Sequence, residues 1–333
     1  QPLCSILMAV RNEEKHLPAA LESILRQTLT DWQLVVIDDG STDKTAEILK
    51  SYADRDSRIQ PVYQPSNGLV PALVLGTQKC QSDFIARMDG DDICHPQRLE
   101  KQYLFLQDNP ETSLVATNIR YFPSHIVQGG MRHYEHWQNS LVTHDLILRD
   151  LFVESPFTQP SIMYRKIAVE SVGGYRDMGW AEDYDLWLRL ALSNHQFARI
   201  PETLFFWREH ADRLTHTADE FSLDAFRRCK AFHLKKSLLK NKRSVTLWGV
   251  GLEGKAWRKV LLDDDIEVHH WIDIDPGKIG QTIHGAKVAE PDSLKPGCGP
   301  MLITIGARGA RELVREKCQE LGLIESKDFI CVT

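Results

Sequence analysis

The sequence lacks the features that take a protein into or across a membrane. It contains no apolar run of 18 residues and no charged-then-apolar segment at its start, so we expect neither a membrane span nor a recognisable export signal. The seven cysteines are odd in number and scattered singly, and no C-x-x-C pair occurs. This usage favours a reducing, cytoplasmic location. Peripheral contact with a membrane surface stays open.

The sequence also lacks an excess of positive charge. Its 40 Lys and Arg residues stand against 46 Asp and Glu, a formal net charge of -6, which argues against a surface built for duplex nucleic acid. With 333 residues, 42% hydrophobic and 26% charged, the chain is long enough for two globular domains and is neither disordered nor fibrous in composition. Nucleic acid is therefore not an expected partner. The oligomeric state is not indicated.

Strand and helix patterns alternate along the first part of the chain. Apolar runs of strand length occupy residues 4–10, 32–37, 59–63 and 84–88, with helical patterns between them. The alternation predicts an α/β domain with a mostly parallel sheet flanked by helices, whose ligands bind at the carboxyl ends of the strands. The polar loops that follow the strands are therefore expected to converge.

Three carboxylates fall within four residues where the fourth predicted strand ends, at Asp89, Asp91 and Asp92. Such crowding is unfavourable unless positive charge lies among the acids, and hard oxygen ligands suit Mg²⁺ or Mn²⁺. The alternative is a surface Asp-Gly turn in which Asp92 helps to cap the next helix. The acids alone leave both interpretations open.

A second acidic loop follows the second predicted strand. Asp39 precedes Gly40, Ser41 and Thr42, a pattern that suits a nucleoside because a carboxylate can bind a ribose or base edge while small residues let it approach. The same residues also fit a helix N-terminus capped by Ser41 or Thr42. Both can hold together, since a helix N-terminus also attracts an anion.

Four motifs in a fixed order carry a family resemblance: residues 9–14 (AVRNEE), 36–45 (VIDDGSTDKT), 67–68 (NG) and 86–99 (ARMDGDDICHPQRL). Together they resemble the nucleotide-sugar-binding half of the inverting, family 2 glycosyltransferases of the GT-A fold. The resemblance implies that Asp89 and Asp91 form a D-x-D pair that joins the donor diphosphate to its metal. It further implies that the nucleotide sugar is bound by Ala9, Arg11, Glu13, Asp39, Asn67, Gly68, Arg87, Asp89, Gly90 and Arg208.

Two later segments resemble the acceptor half of the same family: residues 155–165 (SPFTQPSIMYR) and 173–190 (GGYRDMGWAEDYDLWLRL). The resemblance makes Asp183 the general base, with Glu182 supporting it or contacting the acceptor. Helix capping by acids is the alternative for this pair. An Arg-x-His segment resembles the one that closes over the pyrophosphate, so Arg208 is expected at phosphate and His210 at phosphate or metal. Residues 129–139, rich in His, Tyr and Trp, are interpreted as an irregular loop over the site.

A domain boundary is expected near Asn241. Residues 1–240 form the GT-A domain, divided into a nucleotide-sugar half (1–120), an acceptor half (121–217) and a connector helix (218–240) with a basic end. Residues 241–333 form a small Rossmann-like α/β domain of about four strands, in which Gly249 to Gly254 make a G-x-G-x-x-G loop with Asp273 after the next strand. The alternative for this loop is a tight turn that packs helix against sheet.

The leading hypothesis is a metal-dependent, inverting hexosyl transfer from a nucleoside diphosphate sugar, with a UDP-sugar as the expected donor. The acceptor would be a hydroxyl of a glycan or lipid-linked molecule in cell-surface polysaccharide or lipopolysaccharide synthesis. One alternative is an NAD(P)-dependent sugar oxidoreductase that uses the loop Gly249 to Gly254. Another is a non-catalytic nucleotide-sugar-binding protein.

Overall fold

The computed structural model describes residues 1–211, 213 and 218–333 and divides into two compact units. The first comprises Gln1–Ile147, Pro156–Met178 and Glu182–Ala218, and the second comprises Leu148–Ser155, Gly179–Ala181 and Asp219–Thr333. Each unit is therefore assembled from separate stretches of chain. The last positions of the expected acceptor half, 212 and 214–217, lie outside the described residues.

The first unit is built on one eight-stranded sheet. Its strands are β1 (Cys4–Val10), β2 (Trp32–Asp39), β3 (Ile59–Gln64), β4 (Phe84–Arg87), β5 (Ile93–Cys94), β6 (Thr112–Phe122), β7 (Ile162–Arg165) and β8 (Gln196–Arg208), in the order β3-β2-β1-β4-β7-β6-β8-β5. Strands β1 to β4 run parallel, as do β6 and β8, whereas β7 is antiparallel to both neighbours and β5 to β8. The predicted α/β fold with a mostly parallel sheet is confirmed.

Helices connect these strands. They are α1 (Leu17–Leu25), α2 (Thr45–Arg55), α3 (Leu69–Lys79), α4 (Arg98–Asp108), α5 (Gly129–Ser140), α6 (His144–Asp150), α7 (Lys166–Ser171) and α8 (Glu182–Leu192). Every residue of β2 is buried, so both faces of this strand are covered, as expected for the centre of a parallel sheet. Among the described residues, no helix is long and apolar enough to cross a bilayer.

The strand register brings the polar loops to one edge of the sheet. Val10 at the end of β1 lies beside Asp38 of β2, and Leu7 lies beside Arg87 at the end of β4. Because the three strands are parallel, the loops that follow them leave from the same edge. The acids after β4 therefore share an edge with the loops after β1 and β2.

Residues 129–139 form a helix, so the expectation of an irregular loop was wrong. Helix α5 lies against β6, where the Asn139 side chain accepts a hydrogen bond from Ile119 N and donates one to Ile119 O, both at 2.9 Å. Glu135 accepts from Tyr121 N at 2.8 Å. These contacts supply hydrogen-bond partners for backbone groups of β6 beyond Ala116, where the pairing of β6 with β7 ends. They are tertiary contacts that overcome the weak helix propensity of Gly129 and Gly130.

Residues 196–208 form one long strand, β8, with an irregularity in its middle. Its pairing with β6 shifts register around Thr117 and Asn118. The irregularity takes up the exposed Pro201 and Glu202, which a regular strand would not favour. Consequently Arg208 lies at the end of a long paired strand.

The second unit has its own six-stranded sheet, whereas four strands were expected. Its strands are β9 (Ser244–Trp248), β10 (Glu267–Ile272), β11 (Thr282–Ile283), β12 (Ala286–Ala289), β13 (Met301–Ile303) and β14 (Phe329–Cys331), in the order β11-β12-β10-β9-β13-β14. Its helices are α9 (Leu223–Leu234), α10 (Leu252–Asp263) and α11 (Ala310–Glu320). The short strands β11 and β12 were missed because a hairpin this brief leaves little periodic pattern. Helix α9 covers only part of the expected connector helix, residues 218–240, and it groups with this unit.

The glycine loop after β9 is closely packed. Gly249 has φ +113°, and a Cβ added to Gly254 would overlap the carbonyl oxygen of Gly249. Asp273 accepts hydrogen bonds from Val250 N at 3.0 Å and Lys278 Nζ at 3.1 Å. The carboxylate that a dinucleotide site would offer to a ribose is thus engaged within its own unit. This arrangement supports the tight-turn interpretation.

Replacing Gly254 with Ala is expected to lower the free energy of unfolding by about 1–3 kcal/mol, because the new methyl group must displace backbone. Gly251→Ser is the matched control in the same loop. Gly251 has φ -78° and no described atom within 4 Å of an added Cβ, and serine also serves as an N-cap. Urea unfolding of both variants checks the prediction, and equal stability of the two would contradict it.

Candidate active site

The three acids after β4 converge in the first unit. Carboxylate oxygens of Asp89, Asp91 and Asp92 lie within 4.8 Å of one another. Gly90 allows this turn to pass close to β1, because a Cβ there would lie 2.6 Å from Val10 Cγ1. The sequence motif is therefore a spatial cluster, and Gly90 has a packing reason for its small size.

Arg87 lies beneath the cluster with its side chain fully enclosed. Its guanidinium donates to Asp89 Oδ1 at 2.7 Å, to Leu7 O at 2.5 Å and to Met88 O at 3.0 Å. Arg87 therefore supports Asp89 from within the fold, whereas Asp89 keeps 34% of its side chain exposed. The contact of Arg87 with the nucleotide sugar stays a prediction.

The end of β8 covers the other side of the cluster. His210 Nε2 lies 2.8 Å from Asp91 Oδ2, and Arg208 Nε donates to Asp91 O at 2.6 Å. Arg208 N donates to Asp92 Oδ1 at 2.7 Å. The Arg-x-His segment and the acids, more than a hundred residues apart in sequence, are thus brought together. Asp92 faces inward and supports this junction.

Glu13 adds a fourth carboxylate to the same neighbourhood. Burial, followed by the charges of Asp91 and Asp89, raises the pKa of Glu13 to about 8. His16 Nδ1 lies 3.6 Å from Glu13 Oε2, and the ring centroids of His16 and His210 are 5.2 Å apart. No sequence pattern singled out His16, which comes close because it immediately precedes α1 beside this loop.

The cluster has the chemistry of a site for a hard divalent cation. Asp92 Oδ2 is buried and has no hydrogen-bond partner among the described residues, an unusual state for a carboxylate oxygen. Burial and the charges of Asp91 and Asp89 raise the pKa of Asp92 well above its ordinary value. A cation among these oxygens would offset the repulsion, and carboxylates with one imidazole are a donor set that Mn²⁺ or Mg²⁺ accepts.

The residues expected at the nucleoside form a second group. Asp39 accepts from Gln64 Nε2 at 2.6 Å, Asn67 N at 2.8 Å and Gly68 N at 2.9 Å. Burial raises the pKa of Asp39, but these hydrogen bonds and the charge of Arg11 outweigh burial and hold it below its ordinary value. Asn67 and Gly68 therefore bind the carboxylate through their backbone.

The loop after β1 is fastened to the loop after β2. Asn12 has φ +55°, and its side chain accepts from Thr42 N at 2.8 Å while its own N–H donates to Ser41 Oγ at 2.9 Å. Glu13 N donates to Thr45 Oγ1 at 2.8 Å. Just before these anchors Arg11 is exposed, and Ala9 is half-buried near the end of β1. The loop thus places Glu13 at the acids and Arg11 toward Asp39.

The acid pair at the start of α8 lies beside Arg87. Glu182 is 5% exposed and Asp183 is partly exposed. Burial, followed by the charge of Glu182, raises the pKa of Asp183 well above its ordinary value. Burial also raises the pKa of Glu182, to which the charge of Asp89 adds. A partly exposed carboxylate with a raised pKa is a stronger base toward a hydroxyl proton than an ordinary carboxylate.

Gln159 is a residue of the site that no sequence pattern indicated. It lies in a one-turn helix, Gln159–Ser161, just before β7, and it hydrogen-bonds both Arg87 and Glu182. Residues 155–165 contain several polar side chains, so residue type alone did not single out Gln159. Its partners could not be identified without the fold.

Known proteins are similar to this chain in sequence. Residues 5–173 match the family model "Glycosyl transferase family 2". The O-antigen biosynthesis glycosyltransferase WbnJ of Escherichia coli is 31% identical over 247 residues, covering 73% of this chain and 91% of WbnJ. The amylovoran biosynthesis glycosyltransferase AmsE of Erwinia amylovora is 32% identical over 214 residues, covering 62% of this chain and 77% of AmsE.

Solved structures share the fold. S. aureus TarS 1-349 in complex with UDP-GlcNAc has a TM-score of 0.56 at 16% identity, covering 78% of this chain and 80% of TarS 1-349. The mannosyltransferase PcManGT of Pyrobaculum calidifontis, in complex with GDP-Man and Mn²⁺, has a TM-score of 0.50 at 15% identity, covering 80% of this chain and 69% of PcManGT. At these identities the likeness concerns the GT-A type of fold.

Proposed function

Because the chain belongs to glycosyl transferase family 2, we propose that this glycosyltransferase moves a sugar from a nucleoside diphosphate sugar to an acceptor hydroxyl with inversion at the anomeric carbon. The observation that carries the proposal is the pairing of two acidic groups around Arg87. One is the cluster after β4, and the other is Glu182 with Asp183. The first group is suited to stabilising a departing diphosphate, and the second is suited to accepting a proton.

On the donor side, a divalent cation would be held by Asp91, Asp89 and His210. When bound, Mn²⁺ or Mg²⁺ supplies positive charge that stabilises the leaving diphosphate. Arg208 is placed to add its own charge, because its Nε already contacts the backbone of Asp91. Arg11, Asp39, Asn67 and Gly68 would form the nucleoside end. We propose that the donor of this enzyme is a UDP-sugar.

On the acceptor side, Asp183 is the general base. The acceptor oxygen forms a bond to the anomeric carbon while the bond from that carbon to the diphosphate oxygen breaks, and the hydroxyl proton passes to the Asp183 carboxylate. One displacement from the opposite face inverts the anomeric centre. Glu182, more deeply buried than Asp183, would hold the start of α8 in place.

The acceptor class is inferred from relatives. WbnJ and AmsE are named for O-antigen and amylovoran biosynthesis, and we extend to this chain the assembly of a cell-surface polysaccharide or lipopolysaccharide on a glycan or lipid-linked acceptor. The enzyme would act on the cytoplasmic side of the membrane, in peripheral contact with its surface. The second unit is given no catalytic role, since both acidic groups of the site belong to the first unit.

A thermal-shift panel of UDP-, GDP- and dTDP-sugars, each with and without Mn²⁺, tests the proposal. The true donor at 100 times its Kd should add about 2.7 kcal/mol of stability, and Mn²⁺ should increase the shift. Donor hydrolysis with Mn²⁺ then separates an enzyme from a non-catalytic binding protein. Stabilisation by NAD(P)H with no response to any sugar nucleotide would contradict the proposal.

A further inference from the structure

Gln159 bridges the two acidic groups of the site through a continuous set of hydrogen bonds. Arg87 Nη2 donates to Asp89 Oδ1 at 2.7 Å and to Gln159 Oε1 at 3.0 Å, and Gln159 Nε2 donates to Glu182 Oε1 at 3.1 Å. Gln159 is 8% exposed and Glu182 5%. The donor-side acids and the acid pair of α8 are thus joined by one guanidinium and one amide.

A glutamine amide suits this position because its two ends have opposite hydrogen-bonding roles. The carbonyl oxygen accepts from Arg87, and the NH₂ group donates to Glu182. A carboxylate at position 159 could still accept from Arg87 but would face Glu182 with a second acceptor. A methionine at position 159 has no N–H group, so Glu182 would lose this donor while remaining buried, which is unfavourable.

The segment around Gln159 is held in place by other side chains. Thr158 Oγ1 donates to Gln138 Oε1 at 3.0 Å, and Gln102 Nε2 donates to Ser161 O at 3.0 Å. Arg98 Nη2 donates to Ile162 O at 3.1 Å. Because these anchors do not involve the Gln159 side chain, its amide is not needed to give the segment its conformation.

We propose that Gln159 is a positioning residue that fixes Glu182, and through it the neighbouring Asp183, relative to Asp89. This inference rests on the proposed function, in which Asp89 lies at the leaving group and Asp183 receives the proton. Both carboxyl groups must hold one geometry for displacement to occur, and a misplacement of about 1 Å can reduce turnover about 100-fold. Gln159 need not touch either substrate to have this effect.

The experiment compares Gln159→Met and Gln159→Glu with Thr158→Val, a control that removes a buried hydrogen bond one residue away. The reaction is hydrolysis, with Mn²⁺, of the sugar nucleotide that stabilises the wild type most, so that water replaces the unknown acceptor. Both Gln159 variants are expected to lose about 10- to 100-fold in kcat, with KM and the donor-induced thermal shift within about twofold of wild type. Thr158→Val should lower Tm and keep kcat.

A double variant separates the hydrogen bond from charge alone. Gln159→Glu combined with Glu182→Gln exchanges donor and acceptor and preserves the total charge, so it should recover about tenfold in kcat over Gln159→Glu alone. Wild-type kcat in Gln159→Met, an equal loss in Thr158→Val, or no recovery in the double variant would each overturn the inference. A wild type that neither binds nor hydrolyses any donor in the panel would instead contradict the proposed function.

Discussion

Asp183→Asn is expected to reduce sugar transfer and donor hydrolysis by about 10²- to 10⁴-fold, the range for loss of a general base. The amide is nearly the same size as the carboxyl group but cannot accept the acceptor proton. Donor binding should persist, because Asp89, Asp91 and Arg208 are unchanged. Turnover measured together with the donor-induced thermal shift distinguishes these effects.

Glu170→Gln is the control for this variant, since Glu170 is an exposed acid of the same unit on α7. It should keep wild-type turnover. Asp183→Asn with near-normal turnover would refute the assignment of the base, and the same variant with lost donor binding would show that Asp183 belongs to the donor pocket.

Asp91→Asn is expected to remove the Mn²⁺-dependent part of donor stabilisation and to reduce turnover by about 10²- to 10³-fold, as for loss of one electrostatic contact to developing charge. The change removes a cation ligand and weakens the contact with His210. Titrating Mn²⁺ in the presence of the donor, with the unfolding temperature as readout, checks the prediction.

The control for Asp91→Asn is Asp108→Asn, which removes one exposed carboxylate at the end of α4 and so makes the same change in net charge. It should leave the Mn²⁺ response unchanged. An Asp91→Asn protein that still requires Mn²⁺ at the wild-type concentration would exclude Asp91 from the cation site.

The parts of the site that could be predicted from sequence are those in which a loop follows a strand directly. Asp89 and Asp91 come after β4, and Asp39 ends β2, so the parallel sheet places both at one edge. Periodicity also identified β1 to β4 and the helices between them. In each case the pattern is local and only the rule for parallel strands is needed.

The rest depended on contacts between distant segments. Gln159 has its partners 72 residues before it and 23 after it, and neither separation leaves a periodic signal. The burial of Arg87 could not be predicted from its position in the sequence, because it is decided by the strands on either side of β4. Helix α5 was missed for a similar reason, since Asn139 and Glu135 fasten it to β6.

Each of the two units is built from separate stretches of chain, which limits where the chain can be cut. Residues 148–155 belong to the second unit, where Arg315 Nη2 donates to Asp150 Oδ1 at 2.6 Å and Lys230 Nζ donates to Val153 O at 2.7 Å. A single cut near residue 218 would separate both pairs. A cut near residue 241 would still remove Arg315 from Asp150, which is only 2% exposed. Truncation is therefore not equivalent to removing a domain, and loss of activity in a shortened chain would report damaged folding before it reported any role of the second unit in transfer.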